Sequence, residues 1–294
     1  MLYFISIVVN GLLAGTIYAL IALAFVVVYK SSRMINFAVG EWVMFGSLLV
    51  ATGLHVLALG LAAAVVLACV GMIVLACIFG HLVLRRLAGR PLVSVIMITL
   101  GLGALMRGVA AVVFQRVPGA IPLPVPSEPL ILQGVLVPLD KLIAAAVAAL
   151  CIAVVSWFYQ ASRTGLALRA IADDQPLAMS AGIDVQRYFT LTWAIAGVIA
   201  VIAGVLWTFV AGGGISAVLV GLKIFPIVII GGLDSIVGTI IGAMIVGLVE
   251  SLSAGYLDAS LGGGFGTVAS SLVLIAVLFV RPQGLFGRPY VARV

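Results

Sequence analysis

MLYFISIVVNGLLAGTIYALIALAFVVVY, residues 1–29, contains no charged side chain. A helix rises about 1.5 Å per residue and the hydrocarbon core of a bilayer is about 30 Å thick, so roughly 20 apolar residues cross it. The stretch exceeds that length and predicts a membrane-spanning helix. It lacks the basic n-region of a cleavable signal peptide and is followed instead by Lys30 and Arg33. Basic residues favour the cytoplasmic side, so the N-terminus is expected outside.

Charges divide the rest of the chain in the same way. Residues 42–84 carry none and are long enough to cross twice, with a turn near 53–60. Residues 91–114 are interrupted only by Arg107, and residues 142–162 and 188–222 are clean. A further run extends from about 235 to 257, and residues 268–280 form the last. The expectation is an all-α, polytopic helical membrane protein of eight to nine spans, one transmembrane domain over residues 1–294. Eleven of the fifteen bases then fall on one side: Lys30, Arg33, Arg85, Arg86, Arg90, Arg163, Arg169, Arg187, Arg281, Arg288 and Arg293. The proline-rich residues 118–129 fall on the other. This alternation needs nine crossings and a cytoplasmic C-terminus, with residues 36–53 and 217–232 as short, glycine-broken spans, re-entrant or interrupted.

Composition agrees. Of 294 residues, 65% are hydrophobic and 8% charged, against about a quarter charged in soluble domains. A mean hydropathy of +1.39 leaves more apolar surface than one globule of this size can hide. Disorder and collagen are excluded by the hydrophobicity and by the lack of a strict glycine period. The net charge of +6 is spread as singlets and pairs between apolar runs, the pattern of membrane loops rather than of a nucleic-acid-binding stripe. Cys69, Cys77 and Cys151 sit in apolar runs and read as small hydrophobes. Gly11/Gly15, Gly238/Gly242 and Ala243/Gly247 are spaced for close helix contacts, although glycine is common in membrane helices generally. Glycines 212–214 and 262–264 read as external turns.

Catalytic motifs are missing. His55 and His81 are the two histidines, each near a span end, and there is no HExxH, GxSxG or SxxK. None of the three lysines, Lys30, Lys141 and Lys223, follows the glycine of a phosphate-binding loop. The chain is expected to be no enzyme and to bind no cofactor or metal. Any work driven by ATP would need nucleotide bound on another chain.

The loop RTGLALRAIADDQPLAMSAGIDVQR, residues 163–187, is the most informative. Pro176 suits the first turn of a helix and Gly182 the left-handed residue just beyond its end. Asp173 and Asp174 suit the positive end of its dipole. Residues 176–181 therefore read as a very short helix on the cytoplasmic face. Such a helix is not stable alone and should be docked, with a partner's groove a natural place; an ordinary solvated loop is the alternative.

Five ordered blocks carry a resemblance: NGLLAGTIYALIALAF (10–25), MINFAVGEWVMFGS (34–47), the loop just described, IIGGLDSIVGTIIGAMIVGLVES (229–251) and RPQGLFG (281–287). The chain resembles the branched-chain amino-acid permease family of ATP-binding-cassette transporters, the smaller of the two related permeases, over nearly its whole length. The resemblance implies a transmembrane subunit of an importer for branched-chain or related small amino acids, working by alternating access in the bacterial inner membrane. Urea, short amides or other small solutes are alternative cargo, and an ion-gradient-driven carrier is an alternative mechanism. It also implies a second, related permease, two ATPase subunits that carry the ATP and magnesium, and a periplasmic binding protein. The short helix would be the ATPase-coupling helix, with Pro176, Leu177, Ala178, Ser180, Ala181, Gly182 and Asp184 forming it. Two positions depart from the family pattern. Val39 stands where the family often has His, which leaves substrate identity open. Asp234 stands where it often has Gly, at an inside turn where a solvated carboxylate is expected.

Charged groups within spans cost about 2.5–3.5 kcal/mol at the centre and are functional candidates by default. Arg107, Lys223 and Glu250 qualify. Counted from the turn at Asp234, the depths of Lys223 and Glu250 differ by only about 7 Å. They can pair across a helix hairpin, unless Lys223 snorkels outward or one of them meets substrate or a partner. Asn36 and Glu41 lie at the start of the short second segment, as a helix cap or as pathway contacts.

Overall fold

A computed structural model describes residues 1–84, 91–125, 129–132, 135–261 and 263–287. The helices are α1 (Leu2–Ser32), α2 (Val39–His55), α3 (Leu61–Phe79, extended by a π-helical turn over Gly80–Leu84), α4 (Leu92–Val113), α5 (Leu139–Ala161), α6 (Arg163–Asp173), α7 (Gln175–Ser180), α8 (Val185–Ala211), α9 (Val220–Gly231), α10 (Ile236–Tyr256), α11 (Asp258–Leu261) and α12 (Phe265–Val280). A 3₁₀ segment, Gly214–Leu219, leads directly into α9.

Seven segments are long and apolar enough to cross a membrane: α1, α3, α4, α5, α8, the 3₁₀ segment with α9, and α10. With the shorter apolar α12 they make eight among the described residues, at the lower end of the expected eight to nine; the ninth expected segment is the 17-residue α2, which falls short of that length and apolarity. Of the two segments expected to be short and glycine-broken, the first is short but α2 runs unbroken through Gly40, Gly46 and Gly53, and the second begins as a 3₁₀ helix but is long enough to cross. Residues 33–38 are non-helical before α2 begins, and Gly214–Leu219 is 3₁₀ rather than α. The turn expected near 53–60 lies between His55 and Leu61.

The opening stretch is the centre of the bundle. Every residue from Ile17 to Val28 of α1 is at most 5% exposed, so this helix is walled by protein where a peripheral anchor would be walled by lipid. It packs on α10, α8, α5 and α9. The contact with α10 is made by the small residues singled out in the sequence. A β-carbon on Gly11 would lie 2.9 Å from the Gly247 carbonyl oxygen, and one on Gly15 2.9 Å from that of Ala243. Backbone contact of this kind replaces the hydrophobic driving force that lipid removes. By contrast, α3, α4 and α5 lie outside, exposing Val66, Val70, Val112, Leu150 and Val154 as a lipid-facing belt.

One end of the bundle gathers the C-terminal end of α1, α6, the 232–235 turn and residues 281–287, tied by backbone bonds from Leu285 to Ile230 (2.8 Å) and Phe286 to Gly231 (3.1 Å). The other end carries the start of α1, the end of α2 and the loop after α4, where the His55 Nε2 meets the Ala120 carbonyl at 2.8 Å. There too lies one element the sequence reading lacked, an antiparallel two-stranded ribbon of β1 (Leu130–Leu132) and β2 (Val135–Val137), to which the Ser6 hydroxyl donates through the Leu136 carbonyl. The inside bases Arg85, Arg86, Arg90, Arg288 and Arg293, together with Gly262 and residues 126–128 of the proline-rich stretch, lie outside the described residues.

Candidate functional site: a capped surface helix and two ion pairs within the spans

The 163–187 loop is more ordered than expected. Its first half is the helix α6, missed in the sequence, capped by the Ser162 hydroxyl, which accepts from the Gly165 amide at 2.9 Å. Ser162 and the Leu168/Ile171 spacing were its signals, since those two side chains are the buried ones. The short helix follows one residue earlier than predicted, as α7 over Gln175–Ser180. Asp174 is its N-cap, accepting from the Leu177 amide at 2.9 Å, with Pro176 in the first turn. Asp173 instead closes α6 and lies beside Lys30, Arg33, Arg169 and Asp234, so only one of the two aspartates serves the α7 dipole. Beyond the end, Gly182 has φ +83°. Its amide bonds to the Met179 carbonyl (3.0 Å) and the Ile183 amide to the Ala178 carbonyl (3.1 Å), the paired closure of a Schellman motif. Asp184 then caps α8, accepting from the Arg187 amide at 3.1 Å. Ala178 faces the bundle at 4% exposure, whereas Leu177 and Met179 are 66% and 52% exposed. The helix is thus clamped at both ends and from beneath, with two apolar side chains facing away from its own protein.

Lys223 of α9 and Glu250 of α10 pair across the helix hairpin at 2.9 Å. Tyr18 of α1, absent from the sequence reading, completes a triangle. Its hydroxyl donates to Glu250 Oε2 at 2.7 Å and accepts from Lys223 at 3.0 Å. The spacing around Asp234 was sufficient to find the pair, and snorkelling of Lys223 is not what the structure shows. Gly238 and Gly242 set the hairpin's tightness. A β-carbon on Gly242 would lie 2.5 Å from the Ile227 carbonyl oxygen.

Glu41, in the first turn of α2, is an ion-pair partner and not a cap. It is buried, and its Oε1 meets Arg107 of α4, whose side chain is half exposed. Asn36 makes the local turn instead, with Oδ1 accepting from the Ala38 amide at 3.0 Å. Gly103, one turn before Arg107, gives the carboxylate room: a β-carbon there would lie 3.0 Å from Glu41 Cδ. Val39 is buried at the start of α2. Asp234, expected to be solvated, has a side chain only 15% exposed and lies 3.9 Å from Arg33, because the 281–287 segment and α6 close over that end. Among the described residues no cluster of His, Cys, Asp and Glu could hold a metal ion.

Residues 7–281 match the family of permease components of branched-chain amino acid transport systems. The chain belongs to this family. The high-affinity branched-chain amino acid transport permease LivH of Escherichia coli K12 is 30% identical over all of this chain and 98% of its own. BraD of Pseudomonas aeruginosa is 30% identical over 99% of this chain and 98% of its own. A probable branched-chain amino acid permease of Methanocaldococcus jannaschii is 37% identical over 43% of this chain and 41% of its own. The permease is accordingly a multi-pass membrane transport subunit.

Proposed function

We propose that the permease is the membrane pathway of an ATP-driven importer for branched-chain or related small amino acids in a bacterial inner membrane, its N-terminus outside and its C-terminus cytoplasmic. The carrying observation is α7, a six-residue helix held by Asp174, Gly182 and the packing of Ala178, with Leu177 and Met179 left facing outward. Rigid clamping suits an element that transmits displacement, and the two exposed apolar side chains suit the groove of a partner. ATP and magnesium would sit on two partner ATPase subunits, whose closure pushes α7 and switches the access of the pathway shared with a second, related permease. A periplasmic binding protein would deliver the solute. The names of the relatives support the cargo, and the gathering of Lys30, Arg33 and Arg169 at the α7 end supports the sidedness.

The test is a Leu177→Asp, Met179→Asp double substitution in the reconstituted importer. It should leave membrane insertion intact and abolish uptake together with transport-coupled ATP hydrolysis. Unchanged uptake would refute the coupling role of α7. Sustained uptake by the purified single chain in ATP-free liposomes would refute the importer reading.

A further inference from the structure

The first turns of α2 and α9 meet. A β-carbon on Gly221 of α9 would lie 2.8 Å from the Gly40 α-carbon of α2, and one on Gly40 3.0 Å from that of Gly221. Beside this crossing, against α4, lies a cavity of about 170 Å³ whose wall includes Phe37, Leu100, Leu222 and Phe225, together with Glu41 and Arg107. An engineered 150 Å³ apolar cavity in another protein takes a benzene ring, so this one has room for a solute of comparable size. Gly103, which faces Glu41, is eleven residues into the 22-residue α4, or about 16 Å along a helix of about 33 Å. The cavity is therefore near mid-height, where broken helices of transporters place their solutes.

Its chemistry is that of a zwitterion with an aliphatic tail. Arg107 uses Nη1 on Glu41, and a guanidinium carries five donors in all, so further N–H groups can meet a carboxylate in the forked geometry that Arg favours. Glu41 commits Oε1 to Arg107, leaving Oε2 for an ammonium. Pro226 lies inside α9 and has no N–H to give the Leu222 carbonyl four residues back, so the regular hydrogen-bond ladder of α9 is interrupted beside this wall. The stacked rings of Phe37 and Phe225, 4.6 Å apart, supply an apolar surface. Half of the Arg107 side chain is exposed, on the side of α4 that also exposes Leu105 and Val109 and opposite the buried Met106 and Ala110. Exposure to hydrocarbon would be costly, so that half belongs to a polar pathway.

We infer that this cavity is a transient recognition site for α-amino-acid zwitterions within the membrane pathway, with Arg107 holding the carboxylate, Glu41 the ammonium, and Phe37, Leu100, Leu222 and Phe225 the aliphatic side chain. The inference rests on the amino-acid cargo proposed above. It is tested by irradiating the complete reconstituted importer with a diazirine analogue of leucine and mapping the cross-links by mass spectrometry. Cross-links should fall on peptides carrying Phe37, Leu100, Leu222 or Phe225, and excess leucine should compete them away. Arg107→Gln, which removes the charge-assisted bonds, and Leu222→Trp, which fills the cavity while sparing both charges, should each reduce them about tenfold or more. If the wild-type importer carries leucine but the label maps elsewhere, or is undiminished in both variants, the site is wrong and the cargo stands. If the wild-type importer carries no amino acid, the cargo is wrong and the site falls with it.

Discussion

Replacing Glu250 by Gln removes one charge from the Tyr18–Lys223–Glu250 triangle while keeping shape and an acceptor oxygen. At 2.9 Å and an effective dielectric constant of about 20, the gross attraction between the charges is roughly 6 kcal/mol. Much of that is cancelled by the desolvation both groups suffer, and breaking a fully buried pair from one side typically costs about 3–5 kcal/mol. The Lys223 side chain is 28% exposed and Glu250 13%, so water reaches the orphaned ammonium in part, and the expected loss is about 2–3 kcal/mol. Lys223→Met should cost a similar amount by orphaning the carboxylate, whose Oε1 already lacks a partner. The double variant orphans neither. Its loss should therefore fall short of the summed single losses by at least about 1.5 kcal/mol, well above the roughly 0.5 kcal/mol within which independent sites add. Reversible unfolding of the detergent-solubilised protein, followed by tryptophan fluorescence, reads this directly, with Trp207 only 5.7 Å from Tyr18. Losses that add to within about 0.5 kcal/mol would show that the two charges act independently and that the triangle does not hold α1, α9 and α10 together.

Other expectations follow from single contacts. Gly247→Ala would place a β-carbon 2.5 Å from the Gly11 carbonyl oxygen and 2.7 Å from the Gly15 α-carbon, and should cost about 1–3 kcal/mol in the same unfolding assay, whereas Gly101→Ala, with open space around it, should not. Gly182→Leu forces a branched side chain to φ +83° and should cost about 1–2 kcal/mol, with coupled ATP hydrolysis in the assembled importer falling as α7 loosens. Asp174→Ala removes the α7 cap and should weaken that helix by about 0.5–2 kcal/mol, read as faster exchange of the Leu177 and Ala178 amides. Asp234→Gly, the residue the family often carries, should change stability by less than about 1 kcal/mol, since Arg33 is half exposed and the separation is 3.9 Å.

The sequence made legible what depends on one-dimensional accounting. Charge-free runs located the spans because lipid tolerates few alternatives, and Pro176 with Gly182 located α7 because both residues have narrow backbone preferences. Equal offsets from Asp234 found the Lys223–Glu250 pair because a hairpin fixes relative depth. What stayed hidden depends on contacts between elements far apart in sequence. Tyr18 looks like any aromatic in an apolar run until α1 is laid between α9 and α10. Glu41 looks like a helix-start acid until α4 brings Arg107 beside it, and Asp234 looks solvated until residues 281–287 cover its turn. The helix α6 was obscured by Arg163, Arg169 and Asp173, whose charges masked a two-residue apolar face.

Counted by sequence, the spans hold two positive groups, Arg107 and Lys223, and one negative, Glu250. The structure adds Glu41 and sorts the four into two neutral pairs. The pairs are not equivalent. Lys223 and Glu250 are capped by Tyr18 and sit where α1, α9 and α10 pack backbone to backbone, so they fasten one group of helices. Glu41 and Arg107 instead join α2 to α4, whose outer face is lipid-exposed, and they open onto the cavity beside the crossing of α2 and α9. An interior that is neutral overall presents no net field to a zwitterion and a desolvation barrier to a free ion. A cation approaching the second pair would be repelled by half-exposed Arg107 before it reached buried Glu41, and an anion held by Arg107 alone would compete with Glu41 for the guanidinium. At the site inferred above, a solute bearing both charges would meet half-exposed Arg107 with its carboxylate and buried Glu41 with its ammonium, so a nearly uncharged pathway of this kind would still discriminate by charge.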